Sequence, residues 1–159
     1  MLNISDKAPL DINVLDSKGK EVNLRQFLGQ KIVLYFYPKD NTPGCTKEAC
    51  DFRDYSVSIE ELGAIIIGVS ADSTASHNKF ADKHSLPFEL WSDSENKLSE
   101  AFGVYGKKSI FGKVGFGLSR STFILNENGE IIKVWPKVNV TGHTEEVIQF
   151  LKDYNNKTK

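Results

Sequence analysis

The sequence predicts an α/β fold, a mixed central sheet flanked by helices, and three observations predict it. Two six-residue apolar runs, Ile32 to Tyr37 and Ala64 to Val69, are rich in β-branched and aromatic residues, as expected of central strands covered on both faces. One helix-length segment, Thr46 to Leu62, lies between them and stops at Gly63. That order of strand, helix and strand makes a right-handed crossover unit and sets the two runs side by side in parallel.

The remaining elements follow along the chain. Asp11 to Leu15 and Glu21 to Leu24 flank Ser17-Lys18-Gly19, which predicts a small β-hairpin ahead of the main fold. Ser73 to His84 and Ser94 to Phe102 have helical patterns, the second opened by a Ser92-x-x-Glu95 capping box, with a short strand at Phe88 to Trp91 between them. Ser121 to Leu125 and Glu130 to Trp135 alternate about the turn Asn126-Glu127-Asn128-Gly129, a second hairpin. A last helix, about Thr144 to Tyr154, gathers Val147, Ile148, Leu151 and Tyr154 on one side. The stretch from Gly103 to Ser119 carries five glycines among aromatic and basic residues and fits no regular period. It is expected to be a long functional loop. Its glycines neither follow a strand nor open a helix as a dinucleotide site requires.

With 159 residues, 40% of them hydrophobic, and a net charge of −1, the chain is long enough for one domain, 1–159, with a real core. Charges of both signs are interspersed, so the basic stripe that binds a nucleic-acid backbone is missing. No apolar run reaches the length of a signal peptide core or a membrane span, which points to the cytoplasm and to no membrane partner. In that compartment thiols stay reduced, and two cysteines are more plausibly redox-catalytic than a permanent staple.

Cys45 falls in the first turn of the crossover helix, just past the carboxyl end of a central strand, where open α/β sheets bind ligands. Thr42 suits the N-cap and Pro43 the first helical position. The unpaired backbone N–H groups there, with the helix dipole, favour a thiolate over a thiol. At 100° per residue Cys45 shares the side of Phe52, Tyr55, Ile59 and Leu62, the expected buried stripe, whereas Cys50 points away, beside Lys47, Arg53 and Asp54. A structural cysteine belongs on the apolar side, so the polar position of Cys50 suggests a role. Five residues of intact helix hold the two Cα atoms roughly 8 to 9 Å apart, beyond the roughly 4.4 to 6.8 Å that a disulfide needs. A bond between them would require the first turns to unwind. Spacing alone leaves open that both are incidental small hydrophobic residues. Zinc is poorly supported, because His77, His84 and His143 are scattered and read as surface or helix-end residues.

Pro38-x-x-x-Thr42-x-x-Cys45 resembles the peroxidatic signature of the peroxiredoxins. The longer segment from Phe36 to Arg53, with Phe36-Tyr37-Pro38-Lys39-Asp40, Thr42-Pro43-Gly44-Cys45-Thr46, Glu48-Ala49-Cys50 and Phe52-Arg53, closely resembles the peroxiredoxin Q or bacterioferritin comigratory subfamily. Gly68-Val69-Ser70, Gly103-Val104, Arg120-Ser121-Thr122-Phe123-Ile124-Leu125 and Gly142-His143 also fit, so the likeness runs from about Gly19 to Leu151. The resemblance implies a thioredoxin-like fold with an N-terminal extension and a peroxidase that needs no metal or organic cofactor. It implies that Cys45 is the peroxidatic cysteine, Thr42 its orienter, Pro38 a shield against water and Arg120 the cation beside the sulfur. Cys50 matches the resolving position of members with both cysteines on one helix. Glu48 matches a motif glutamate and is left outside the catalytic set. The implied partners are a hydroperoxide and thioredoxin or a similar dithiol, and the implied state is a monomer. Two other classes are compatible with the fold: a thioredoxin-fold disulfide oxidoreductase and a non-catalytic binding module.

Overall fold

The computed structural model describes residues 1–110 and 112–158. Its main sheet has seven strands in the order β2-β1-β5-β4-β3-β8-β9. Strands β1 (Val14–Asp16) and β2 (Glu21–Val22) form the expected leading hairpin, and β1 continues antiparallel onto β5 (Glu89–Ser92). At the centre β3 (Lys31–Phe36) pairs parallel with β4 (Ala64–Ser70), in register from Lys31 opposite Ala64 to Phe36 opposite Val69. Beyond β3 lie β8 (Ser121–Leu125) and β9 (Ile131–Trp135), both antiparallel, so the sheet is mixed.

Every residue of β3 is buried, because the strand has a core on each face. Ile32, Leu34 and Phe36 point to one, with Trp91 and Phe123 and with Leu98 and Phe102 of α4 (Lys97–Phe102). Val33, Tyr35 and Tyr37 point to the other. That layer holds Phe52 of α1 (Pro43–Asp54), Ile59 of α2 (Ser56–Glu61), Phe80 of α3 (Thr74–His84), and Val147 and Leu151 of α5 (His143–Lys157). The strict two-residue alternation of a strand delivers alternate side chains to the two layers.

Four expectations change. The crossover helix is not continuous: it breaks at Tyr55, whose ψ is 8°, and the Ser56 hydroxyl donates to the Arg53 carbonyl at 2.9 Å. A serine that occupies a main-chain carbonyl competes with the helical ladder. Tyr55 therefore turns outward instead of completing the buried stripe. The Ser92–Glu95 capping box does not form, since Ser92 ends β5 and its hydroxyl donates to the Asp72 carbonyl. The Asp93 carboxylate instead accepts from the backbone N–H groups of Leu98, at 3.1 Å, and Ser99, at 2.8 Å. The stretch after Gly103 is not an irregular loop. It is a two-stranded antiparallel hairpin of β6 (Tyr105–Ile110) and β7 (Lys113–Leu118), in which Tyr105 and Phe116 stack with their centroids 6.2 Å apart. Residue 111, inside that stretch, lies outside the described residues. Finally, His77 and His143 are buried rather than on the surface, while His84 does end its helix. Among the described residues no helix is long and apolar enough to cross a membrane.

Candidate active site

The site forms where β3 ends and α1 begins. The chain leaves β3 through Tyr37 and Pro38 and enters α1 at Pro43, with Thr42 in extended conformation at the N-cap. The first helical hydrogen bond runs from the Thr46 N–H to the Thr42 carbonyl, 2.8 Å. The N–H groups of Gly44 and Cys45 therefore lie ahead of the ladder and point out of the helix start. Cys45 is 1% exposed and belongs to the same buried layer as Phe52, as its helical phase predicts.

Arg120, which precedes β8, reaches across to this helix start. Its Nη2 donates to Cys45 Sγ at 3.2 Å and its Nη1 to Glu48 Oε1 at 2.8 Å. Gly44 permits the approach, because a Cβ there would stand 3.2 Å from Arg120 Nη2. The Arg120 backbone carbonyl is itself fixed by the N–H of Val138 at 2.9 Å. One planar guanidinium thus spans a sulfur and a carboxylate with two donors, which a lysine ammonium on a flexible stem would do poorly.

Glu48, set aside by the sequence, is the residue the tertiary structure adds. It is 1% exposed, and its Oε2 has no hydrogen-bond partner among the described residues. Burial raises its carboxyl to about 7, against the opposing attraction and hydrogen bond of Arg120. Arg120 keeps its proton more firmly than usual, because the Glu48 charge and the Cys45 sulfur together outweigh its partial desolvation. Near neutrality the cation is permanent while the acid beside it titrates. The motif spacing placed Glu48 one helical turn after Cys45, and that i, i+3 relation was the available signal.

The other expected residues fall as follows. Thr42 stands at the N-cap, but its hydroxyl donates to the Lys39 carbonyl at 2.9 Å and caps no helical N–H. Pro38 forms one wall of a groove with Leu118, Arg120, Pro136 and Val138. Cys50 is not beside Cys45. It is half-buried on the other side of α1, with Sγ 3.8 Å from His84 Nδ1 at the end of α3, and both cysteines are free thiols.

A buried network fastens the connection from β3 to α1. Asp40 accepts from the Tyr37 hydroxyl at 2.6 Å and the Ser76 hydroxyl at 2.8 Å, and pairs with His77 Nδ1 at 2.8 Å. Desolvation opposes its charge, but the hydrogen bonds from His77, Tyr37 and Ser76 prevail and hold its carboxyl below the usual range. His77 Nε2 faces the Trp91 carbonyl at 2.9 Å, and Asp72 takes the Asp40 N–H at 2.7 Å. Asp40, Asp72 and His77 lie close enough to suggest a cation site. Their ligand atoms are instead committed to one another and to neighbouring donors and acceptors, so they act as a clasp between the 38–42 connection and α3.

Residues 4–134 match the AhpC/TSA family. Peroxiredoxin Bcp of Bacillus subtilis (strain 168) is 52% identical over 156 residues, covering 98% of this chain and 99% of its own. The solved structure of Xanthomonas campestris bacterioferritin comigratory protein, described for its alkyl peroxide reduction activity, superposes with a TM-score of 0.90 at 39% identity, covering 96% of this chain and 99% of that one. A Xylella fastidiosa PrxQ mutant superposes with a TM-score of 0.91 at 37% identity and 98% coverage of both chains.

Proposed function

The chain belongs to the AhpC/TSA family, as a peroxiredoxin of the Bcp type and hence a thiol-dependent peroxidase, and from that premise we propose that Cys45 is its peroxidatic sulfur and Cys50 its resolving one. The observation that carries the reading is the Arg120 bridge: a permanent cation donates to Cys45 Sγ at the head of α1. Attack of that sulfur on a hydroperoxide breaks the O–O bond. Negative charge passes to the departing oxygen, which takes a proton and leaves as water or an alcohol, and the sulfur becomes a sulfenic acid. Donors already in place at the spot where charge grows lower the barrier without reorganising, and here they are Arg120 Nη2 and the free N–H groups of the helix start. Thr42, whose hydroxyl proton is held by the Lys39 carbonyl, offers its oxygen as an acceptor that orients the peroxide, and Pro38 shields the reacting atoms from bulk water.

Cys50 then attacks the sulfenic sulfur, expelling hydroxide and leaving an intramolecular disulfide, which spares Cys45 from further oxidation. A dithiol reductant, for which thioredoxin has the appropriate chemistry, returns both cysteines to thiols. Hydrogen peroxide and organic hydroperoxides are the proposed substrates, and a monomer is the proposed working unit, since a disulfide within one helix asks for no partner subunit's cysteine.

That helix must open for the bond to form. Cys45 faces the core and Cys50 faces α3, and in intact α1 their Cα atoms stay roughly 8 to 9 Å apart. Intact mass after peroxide treatment tests the scheme: a loss of two hydrogens, mapped to a Cys45–Cys50 bridge, is expected. Cys45→Ser should abolish peroxide consumption in stopped flow, and retention of activity would reject the assignment. Amide exchange over residues 44–52 should accelerate on oxidation, and equal protection in both states would reject the unwinding.

A further inference from the structure

The surroundings of Cys50 extend the mechanism. Its Sγ stands 3.8 Å from His84 Nδ1, within reach of a hydrogen bond to sulfur. This is a designed-looking contact in its support: Arg53 Nη1 donates to the His84 main-chain carbonyl at 2.8 Å, tying the end of α3 to α1, and Phe80 meets the imidazole edge to face with centroids 5.1 Å apart. The main chain at His84 is thus tied to α1 while Phe80 packs against its ring, beside a thiol that the peroxide step leaves unused.

We propose that His84 is the general base for Cys50, a role that rests on Cys50 being the resolving cysteine. With its proton on Nε2, the imidazole offers the Nδ1 lone pair to the Cys50 S–H. The proton passes from sulfur to Nδ1 while α1 is still closed, and the thiolate is released when the helix opens. That thiolate attacks Cys45 Sγ of the sulfenic acid, the S–S bond forms, the S–O bond breaks, and the departing hydroxide takes a proton from the imidazolium or solvent to give water. Only the thiolate is an effective nucleophile in this exchange, so a base beside the resolving sulfur shortens the life of the sulfenic acid. The charged groups about Cys50 on its own helix are Arg53, which is attracted to the sulfur, its ion partner Asp54, and the Lys47–Asp51 pair. From α3 the facing group is His84.

The test uses Cys45→Ser protein, in which Cys50 is the sole thiol, with His84 intact or replaced by Gln or Phe. Iodoacetamide alkylation of Cys50 near pH 7 should slow about fivefold or more in both replacements, while near pH 10, where solvent ionises the thiol, the rates should converge. A purely structural role would alter access at both pH values alike. Equal rates near pH 7, or a difference that persists near pH 10, would overturn the proposal. In the otherwise native chain, His84→Gln should slow the disulfide-forming phase by a similar factor. Failure of the native chain to form the disulfide would reject the resolving role of Cys50, whereas the alkylation comparison judges His84 independently.

Discussion

Replacing Glu48 with glutamine removes one titrating proton while keeping the shape of the side chain and an oxygen for Arg120 Nη1. In the native protein burial raises the Glu48 carboxyl from 4.5 to about 7, despite the pull of Arg120. The unfolded chain releases this proton at the ordinary, lower pH. Between those two values the native state therefore binds more protons than the unfolded state, and stability falls as pH rises. The whole displacement corresponds to about 3 kcal/mol of native-state penalty, fully present above about pH 7 and absent below about pH 4.5. Subtracting the Glu48→Gln unfolding free energy from that of the native chain at each pH cancels the other groups. The difference should move by about 3 kcal/mol against the native chain between about pH 4.5 and pH 8. Urea unfolding of reduced protein at intervals of pH measures it, with a constant slope as the check on a single transition. A difference flat to within about 0.5 kcal/mol across that window would refute a buried, proton-holding Glu48.

Four further outcomes are expected. Arg120→Gln removes the cation that touches Cys45 Sγ and should lower the second-order rate of peroxide reduction about 100- to 1000-fold, measured by stopped flow; a loss below about tenfold would deny it a part in the barrier. His143, which shares a 2.8 Å hydrogen bond with Thr122, is pushed down by burial from 6.5 to about 4; the unfolded chain gains a proton below pH 6.5 that the native ring resists, so stability falls from there to about 4, and His143→Gln should remove about 2 to 3 kcal/mol of that acid loss in unfolding titrations. The Tyr35 hydroxyl is buried without a hydrogen-bond partner among the described residues, so Tyr35→Phe should leave stability unchanged or raise it by up to about 1 kcal/mol, whereas Gly68→Ala, whose Cβ would stand 2.7 Å from Tyr35 Cζ and 2.9 Å from Leu90 Cδ2, should cost about 1 to 3 kcal/mol in urea unfolding.

Periodicity and turn residues determined the strand–helix–strand core with its parallel β3–β4 pair and the two hairpins at Ser17-Lys18-Gly19 and Asn126 to Gly129, because those features are written in neighbours a few positions apart. It also determined that Cys45 faces inward at a helix start and that Cys50 faces elsewhere, since helical phase follows from position. The motif from Pro38 to Cys45 pointed to Arg120 only through resemblance; spacing could not bring together residues 75 positions apart, and β3–β8 pairing is what carries the guanidinium to Cys45 Sγ. The break at Tyr55, the Asp93 cap and the hairpin after Gly103 escaped the sequence because each is decided by competition: a hydroxyl for a carbonyl, a carboxylate for helix N–H groups, and strand pairing through glycines that have no apolar side chain to alternate. Burial decided the rest. A glutamate reads as a surface residue, and three scattered histidines read as helix ends, until packing withdraws Glu48, His77 and His143 from water and stations His84 against Cys50. Charge state and partnership at those four positions depend on solvent exclusion by segments distant in sequence, which only the tertiary structure can supply.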